Sequence, residues 1–278
     1  MRSHPRSVSA PQAQRPPAPA RIVCLTAETV ETLYLLGAGA RIAGVTGYAV
    51  RPAEARRKPR IAAFTTAHVE RILALKPDLV LGFSDLQAEI VRDLVKAGIE
   101  IHVFNQRDIA GILAMIRTLG RLVGAEKKAE DLASSLAKRL ASARARSTKL
   151  KKRPRVYFEE WDEPAICGIR WVSELIEAAG GEDVFAERAH QGIASARLVS
   201  PEEIVASSPD IVIGSWCGKK FRPERVSARP SFGQLPAVRA GQLYEIKSAI
   251  ILQPGPGALT LGLDAMEKIV RGWRNSGS

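Results

Sequence analysis

The chain has 278 residues, 46% hydrophobic and 25% charged, with a formal net charge of +12. These proportions exclude wholesale disorder, a collagen-like repeat and a disulfide-stapled miniprotein, and the length suits two lobes, since one domain takes ~100–150 residues. No stretch approaches the ~18 uninterrupted apolar residues of a membrane-spanning helix.

Residues 1–20 are rich in Pro, Ala, Ser and Arg, lack the apolar run of a secretory signal, and read as a disordered tail. The sequence as it stands is therefore expected in the cytoplasm, and in the periplasm if a signal precedes it. Positive charge gathers in two acid-free places, four arginines through Arg21 and nine Lys or Arg within 138–155. The remainder is nearly neutral. No helix-turn-helix, zinc-finger or RNA-binding pattern accompanies the charge, so no specific nucleic-acid partner is expected, and at most a weak polyanion or membrane-surface contact.

Apolar runs and helical spacing predict strands at 22–25, 42–45, 79–81 and 101–103, with helices at 27–36, 68–75, 86–97 and 109–119. These make an N-terminal α/β lobe over 21–124. Within 125–149, Ala129, Leu132, Ala133, Leu136 and Leu140 recur at helical spacing without Gly or Pro. A linker helix over 125–150 is expected, ~37 Å long, a strut that limits opening between the lobes. Strands at 155–159, 211–213 and 243–246, with helices near 171–179, 201–207 and 258–273, make a C-terminal α/β lobe over 151–278. Alternation of strand and helix implies parallel sheets. The predicted fold class is thus α/β: two Rossmann-like lobes joined by one long helix, with a ligand cleft between them.

One unit occurs twice. VERILALKPDLVLG at 69–82 matches PEEIVASSPDIVIG at 201–214, pairing Glu70 with Glu202, Ile72 with Ile204, and Pro77-Asp78 with Pro209-Asp210. Each copy reads as a short helix, a Pro-Asp turn and a buried β-branched strand. In the second copy Ser200, Pro201 and Glu203 form an S-x-x-E capping box, which leaves Glu202 over. A first-turn carboxylate favours the helix dipole, which is one reading of Glu70 and Glu202; the other is a pair of surface acids that receives two cations from a symmetric partner.

Ligands of open α/β sheets bind beyond the carboxyl ends of the strands. Aromatic residues occupy those places: Tyr48, Phe83, Trp161 and Trp216, with Phe64 ahead of the first repeated helix. Each ring is read either as a ligand contact or as a plug of the core. The long segment 215–235 carries Trp216, Lys219, Lys220 and Arg222, either a rim for polar or anionic groups or a solvated basic loop. Enzyme signatures fail: no P-loop, dinucleotide fingerprint or G-x-S-x-G elbow is present, and His4, His68, His102 and His190 have no metal-ligand spacing. No metal or catalytic cofactor is expected. His68 and His190 are each read as a pocket ligand or a structural residue. Cys24, Cys167 and Cys217 form no C-x-x-C pair. Cys217 beside Lys219 and Lys220 is open to a lowered pKa and a thiol-dependent activity.

The two copies of the repeat and the linker helix resemble the helical-linker (class III) substrate-binding proteins of ABC importers, over roughly 21–274 and most of all the cobalamin-binding members. Siderophore- and haem-binding members come next. The resemblance implies a ligand between the lobes and docking of Glu70 and Glu202 on permease arginines. It implies corrin contacts from Tyr48 and Phe64, the latter where a better-known cobalamin binder has Trp, with Trp161 and Trp216 on loops facing the cleft. A Trp of the family is replaced near Ala196, and Ala249 and Gln253 stand where acidic and basic contacts are expected. The implied function is non-enzymatic: a protein, expected to be a monomer, that captures a corrinoid such as cobalamin and delivers it to an ABC permease, or holds it if cytoplasmic. A haem or ferric-siderophore binder, and a thiol-dependent corrinoid-processing enzyme, are the alternatives. Tyr48, Phe64, Phe83, Trp161, Trp216, Cys217, Lys219 and Gln253 are the expected ligand contacts.

Overall fold

A computed structural model describes residues 18–63 and 65–276. The first lobe holds a five-stranded parallel sheet of β1 (Ile22–Cys24), β2 (Ile42–Thr46), β3 (Arg60–Ala62), β4 (Leu79–Phe83) and β5 (Ile101–Phe104), in the order β3-β2-β1-β4-β5. Helices α1 (Ala27–Leu35), α2 (Val69–Ala74), α3 (Ala88–Lys96) and α4 (Ile109–Leu122) connect or cover these strands. The short β3 was not expected from the sequence. Its Arg60-Ile61-Ala62 is too brief and too polar at its start to declare a strand, and pairing with Val45 and Thr46 makes it one.

Helix α5 (Glu126–Ser147) spans 22 residues, hence ~33 Å. Its buried stripe, Ala129, Ala133, Leu136, Leu140 and Ala143, packs along α4 on one side and α6 (Arg170–Ala179) of the second lobe on the other. One continuous apolar cluster therefore runs from the first sheet through α5 into the second lobe. Part of the basic charge on α5 is neutralised locally, Arg139 pairing with Asp264 and Arg146 with Glu267 at 2.7 Å.

The second sheet comprises β6 (Arg155–Asp162), β7 (Ala165–Cys167), β8 (Glu182–Asp183), β9 (Ile211–Gly214) and β10 (Leu243–Glu245), in the order β10-β9-β6-β7, with β8 also paired to β6. It is mixed, which corrects the expectation of an all-parallel sheet. Only Glu163 and Pro164 separate β6 from β7, and so short a link allows only a hairpin, since a parallel return needs a crossover of about a dozen residues. After α6 come α7 (Ala186–Ala189), α8 (Pro201–Ser207), α9 (Pro223–Ser227), α10 (Pro236–Arg239), α11 (Ser248–Ile251) and α12 (Leu263–Asn275). The helix expected over 258–273 starts with a π-helical turn at Ala258–Gly262 before α12 begins.

The repeat has a structural cause. Asp78 accepts hydrogen bonds from the Ala20 and Arg21 amides at 2.7 and 2.9 Å, and Asp210 accepts one from the Arg155 amide at 2.8 Å. Each Pro-Asp turn thereby pins the start of the central strand of its own sheet. Arg21 and Arg155 also cap the repeated helices, their Nε donating to Leu75 O at 2.9 Å and Ser207 O at 3.0 Å. The S-x-x-E box is formed as expected, with Ser200 and Glu203 each bonded to the other's backbone amide.

Candidate ligand-binding cleft

A cavity of about 360 Å³ opens between the lobes. Its first-lobe wall is made beyond the carboxyl ends of β1 (Thr26, Ala27, Glu28), β2 (Gly47, Tyr48), β4 (Asp85, Leu86) and β5 (Arg107). Its second-lobe wall comes from Glu160 on β6, Trp171 on α6, the 192–197 segment, Cys217 beyond β9 and the stretch from Ser248 to Pro254 beyond β10. Strand ends of both sheets thus converge on one space, as open α/β sheets direct. Tyr48, Leu86 and Ile193 form an apolar lip, respectively 47%, 54% and 55% exposed. Large exposed apolar side chains gathered at a cavity mouth mark a binding surface.

The lobes are tied together beside this space. Arg51 of the first lobe holds Glu31 at 3.0 Å and donates to Ala249 O of the second at 2.5 Å, while Gln253 Nε2 donates to Tyr48 O at 3.3 Å and Gln106 Nε2 to Pro254 O at 3.0 Å. The turn Gln253-Pro-Gly-Pro-Gly257, which supplies the Gln253 donor and the Pro254 carbonyl acceptor, lies against α1. A Cβ on Gly255 would stand 2.6 Å from Glu28 Cβ, and one on Gly257 2.4 Å from Arg51 Nη2. At Gly255, where the neighbours are a Cβ and a backbone Cα, only glycine permits that approach.

Among the expected ligand contacts, the structure brings Tyr48, Phe83, Cys217 and Gln253 to the cavity wall. Phe83 carries the Arg107 guanidinium over its ring at 5.1 Å. Phe64 lies outside the described residues. Trp216, Trp161 and Lys219 do not line the cavity. Trp216 is 2% exposed, packs in a separate cluster of the second lobe, and donates its indole N–H to Glu159 Oε1 at 2.9 Å. Glu159 is fully buried and also receives the Tyr157 hydroxyl and the Arg229 guanidinium, so the indole is one of the donors that make an interior carboxylate tolerable. Trp161 donates to Glu163 O at 2.8 Å, and Lys219 sits 3.9 Å above its ring while pairing with Asp162. Burial alone would raise the Asp162 carboxyl, but the Lys219 hydrogen bond, with the charges of Lys219 and Arg225, holds it below its ordinary value.

The surroundings of Cys217 do not favour an activated thiol. Partial desolvation of the thiol beside the cavity pushes it up, and the Glu160 charge pushes the same way, while Lys219 is engaged with Asp162. His68 and His190 are exposed and do not line the cavity. Among the described residues no three His, Cys, Asp or Glu side chains gather into a metal site.

Glu70 and Glu202 are exposed in the first turns of α2 and α8. Each helix leads into a strand of its sheet, β4 or β9, so these first turns lie at the carboxyl edge of the strands, where the cavity opens. The Glu202 carboxyl is held below its ordinary value by backbone N–H at the helix start and by the Ser200 hydroxyl.

Several cavity residues escaped sequence reading. Trp171 and Arg197 lie in segments where neither a strand end nor a repeat points, and Glu28 passes for an ordinary first-turn acid. In the fold Glu28 is 3% exposed, and burial pushes its carboxyl up to about 7 against a hydrogen bond with Thr26.

The profile of the family described as periplasmic binding protein matches residues 22–250. The chain belongs to this family. It is 24% identical over 247 residues to an uncharacterised ABC transporter substrate-binding lipoprotein of Bacillus subtilis, covering 86% of this chain and 76% of that one. It is likewise 24% identical over 259 residues to a vitamin B12-binding protein of Vibrio parahaemolyticus, covering 89% and 88%. The solved periplasmic heme-binding protein from Roseiflexus sp. RS-1, in its apo form, superposes with a TM-score of 0.76 at 25% identity, covering 90% of this chain and 98% of that one. Among the described residues of this periplasmic binding protein, no helix is long and apolar enough to cross a membrane.

Proposed function

We propose that this chain is the substrate-binding component of an ABC importer, a non-enzymatic monomer that captures a corrinoid, cobalamin first, in the cleft between its lobes. Capture takes place outside the cytoplasmic membrane, and Glu70 and Glu202 dock the loaded protein on the permease. The observation that carries the reading is the cleft: strand ends of both sheets surround one cavity whose mouth exposes Tyr48, Leu86 and Ile193. Such a lip suits a large, mostly apolar body with polar substituents. The likeness to a vitamin B12-binding protein over nearly the whole chain supports the ligand class, and the likeness to an ABC transporter lipoprotein supports the partner.

A haem or ferric-siderophore ligand is the second reading, favoured by the fold shared with a heme-binding protein. Titration of the purified protein with cyanocobalamin, hemin and a ferric siderophore, followed by absorbance, separates the two. One equivalent of cyanocobalamin is expected to bind, and Tyr48→Ala to weaken it about tenfold, as for the loss of a stacked ring contact. Binding of hemin alone would transfer the assignment to the second reading; binding of none of the three would remove the ligand class.

A further inference from the structure

The charged side chains of the cavity wall fall into two groups. Arg107 pairs with Asp85 at 3.1 Å, and Arg197, itself 2% exposed, holds Glu160 at 2.6 Å. Those four charges are matched within the protein. Glu28 has no cationic partner among the described residues: the nearest acid on its own helix, Glu31, is taken by Arg51, and the strand before it offers only the buried Cys24 thiol. Its Oε1 is buried and accepts no hydrogen bond.

Its placement is imposed by the fold. Residue 28 stands in the first turn of α1, directly beyond β1, where the central strand of the first sheet delivers the chain to the cavity. The 253–257 turn presses on its Cβ from one side, at the position where only Gly255 fits, Thr26 hydrogen-bonds the carboxyl, and Glu28 is among the residues that line the cavity. A buried polar atom without a partner is costly in a binding protein unless a ligand satisfies it.

We propose that Glu28 is a specificity residue of the cleft, selecting ligands that present a neutral hydrogen-bonding group of the carboxamide class at this point and rejecting ligands that present a carboxylate. A carboxylic acid and a primary carboxamide each carry one donor edge and one acceptor edge, so they pair reciprocally. Burial, which raises the carboxyl to about 7, keeps a large fraction of that acid neutral near pH 7. A ligand carboxylate meets no free cation at this point, because both wall arginines are already matched, and once Glu28 ionises it meets a like charge. The inference rests on reading the cavity as the ligand site. Within that reading it points to an amide-decorated macrocycle over one bearing free acids.

The decisive probes share one macrocycle. Dicyanocobinamide carries carboxamides where dicyanocobyrinic acid carries carboxylates. At pH 7 the protein is expected to bind the first at least tenfold more tightly than the second. Glu28→Leu, which removes donor and acceptor together, is expected to weaken dicyanocobinamide about tenfold, the scale of one lost hydrogen bond at a desolvated site. Glu28→Gln retains both functions without the charge; it is expected to hold dicyanocobinamide within about threefold and to narrow the discrimination against the acid. Circular dichroism of both variants establishes that they are folded, and Glu28→Gln, nearly isosteric, serves if Glu28→Leu does not fold. Tight corrinoid binding with the same preference in every variant overturns the role of Glu28 and leaves the ligand reading intact. Failure of the unmodified protein to bind either corrinoid overturns both, and stronger binding of dicyanocobyrinic acid overturns the carboxamide preference alone.

Discussion

Glu28 has a consequence for stability that is independent of any ligand. Its ordinary value of 4.5 is raised to about 7 in the folded protein, chiefly by burial, so between those values the folded state holds a proton that the unfolded state has released. Stability from this group is complete below about pH 4.5 and is lost as pH rises through 7. A shift of this size corresponds to about 3 kcal/mol as an upper bound. Urea unfolding at pH 5 and pH 8 is therefore expected to show a loss that Glu28→Gln largely abolishes; equal pH dependence in the two proteins would sink the assignment. Trp216 makes the opposite case. Because its ring fills the interior and its N–H serves Glu159, Trp216→Phe is expected to cost about 2–4 kcal/mol of stability and to leave corrinoid affinity of the folded protein unchanged. A large affinity loss without a drop in melting temperature would return the indole to the ligand.

At the scale of elements, the repeated Pro-Asp turns and the turn at 253–257 act on different things. Each Pro-Asp turn locks one sheet: Asp78→Ala or Asp210→Ala removes backbone partners of β1 or β6 and is expected to lower stability by about 1–2 kcal/mol without altering the binding site. Gly255→Ala pushes a methyl group into Glu28. That change is expected to cost about 1–3 kcal/mol and also to weaken ligand binding, a pairing of effects that denaturation and titration of the same protein will reveal. Strand and helix positions were legible because apolar periodicity reports burial, as the long stripe of α5 illustrates. The antiparallel β7 was not, since Ala165-Ile166-Cys167 is too short to carry a period and its direction follows from a two-residue hairpin link.

For the whole molecule, a helix packed on both lobes and polar ties from Arg51 and Gln253 across the gap hold two sheets at a set spacing. Exposed Glu70 and Glu202 stand one on each lobe, at the edge where the cavity opens. The double variant Glu70→Ala with Glu202→Ala is expected to keep its ligand affinity and melting temperature while losing transport in vesicles that contain the permease. Retained transport would exclude the docking role, and lost affinity would show that these acids serve the cleft instead.

The two-lobed α/β plan, the linker helix and the paired glutamates can be read from the sequence, because local periodicity and an internal repeat encode them within a few dozen neighbouring residues. Which rings meet the cavity cannot. Tyr48 and Phe83 reach it, whereas Trp216, equally placed beyond a strand, turns into the second lobe toward Glu159. Glu28, without a cationic partner among the described residues, likewise acquires its meaning only when a turn more than two hundred residues later packs against it. Burial and pairing are set by what the folded chain brings alongside a residue, and those neighbours are remote in sequence.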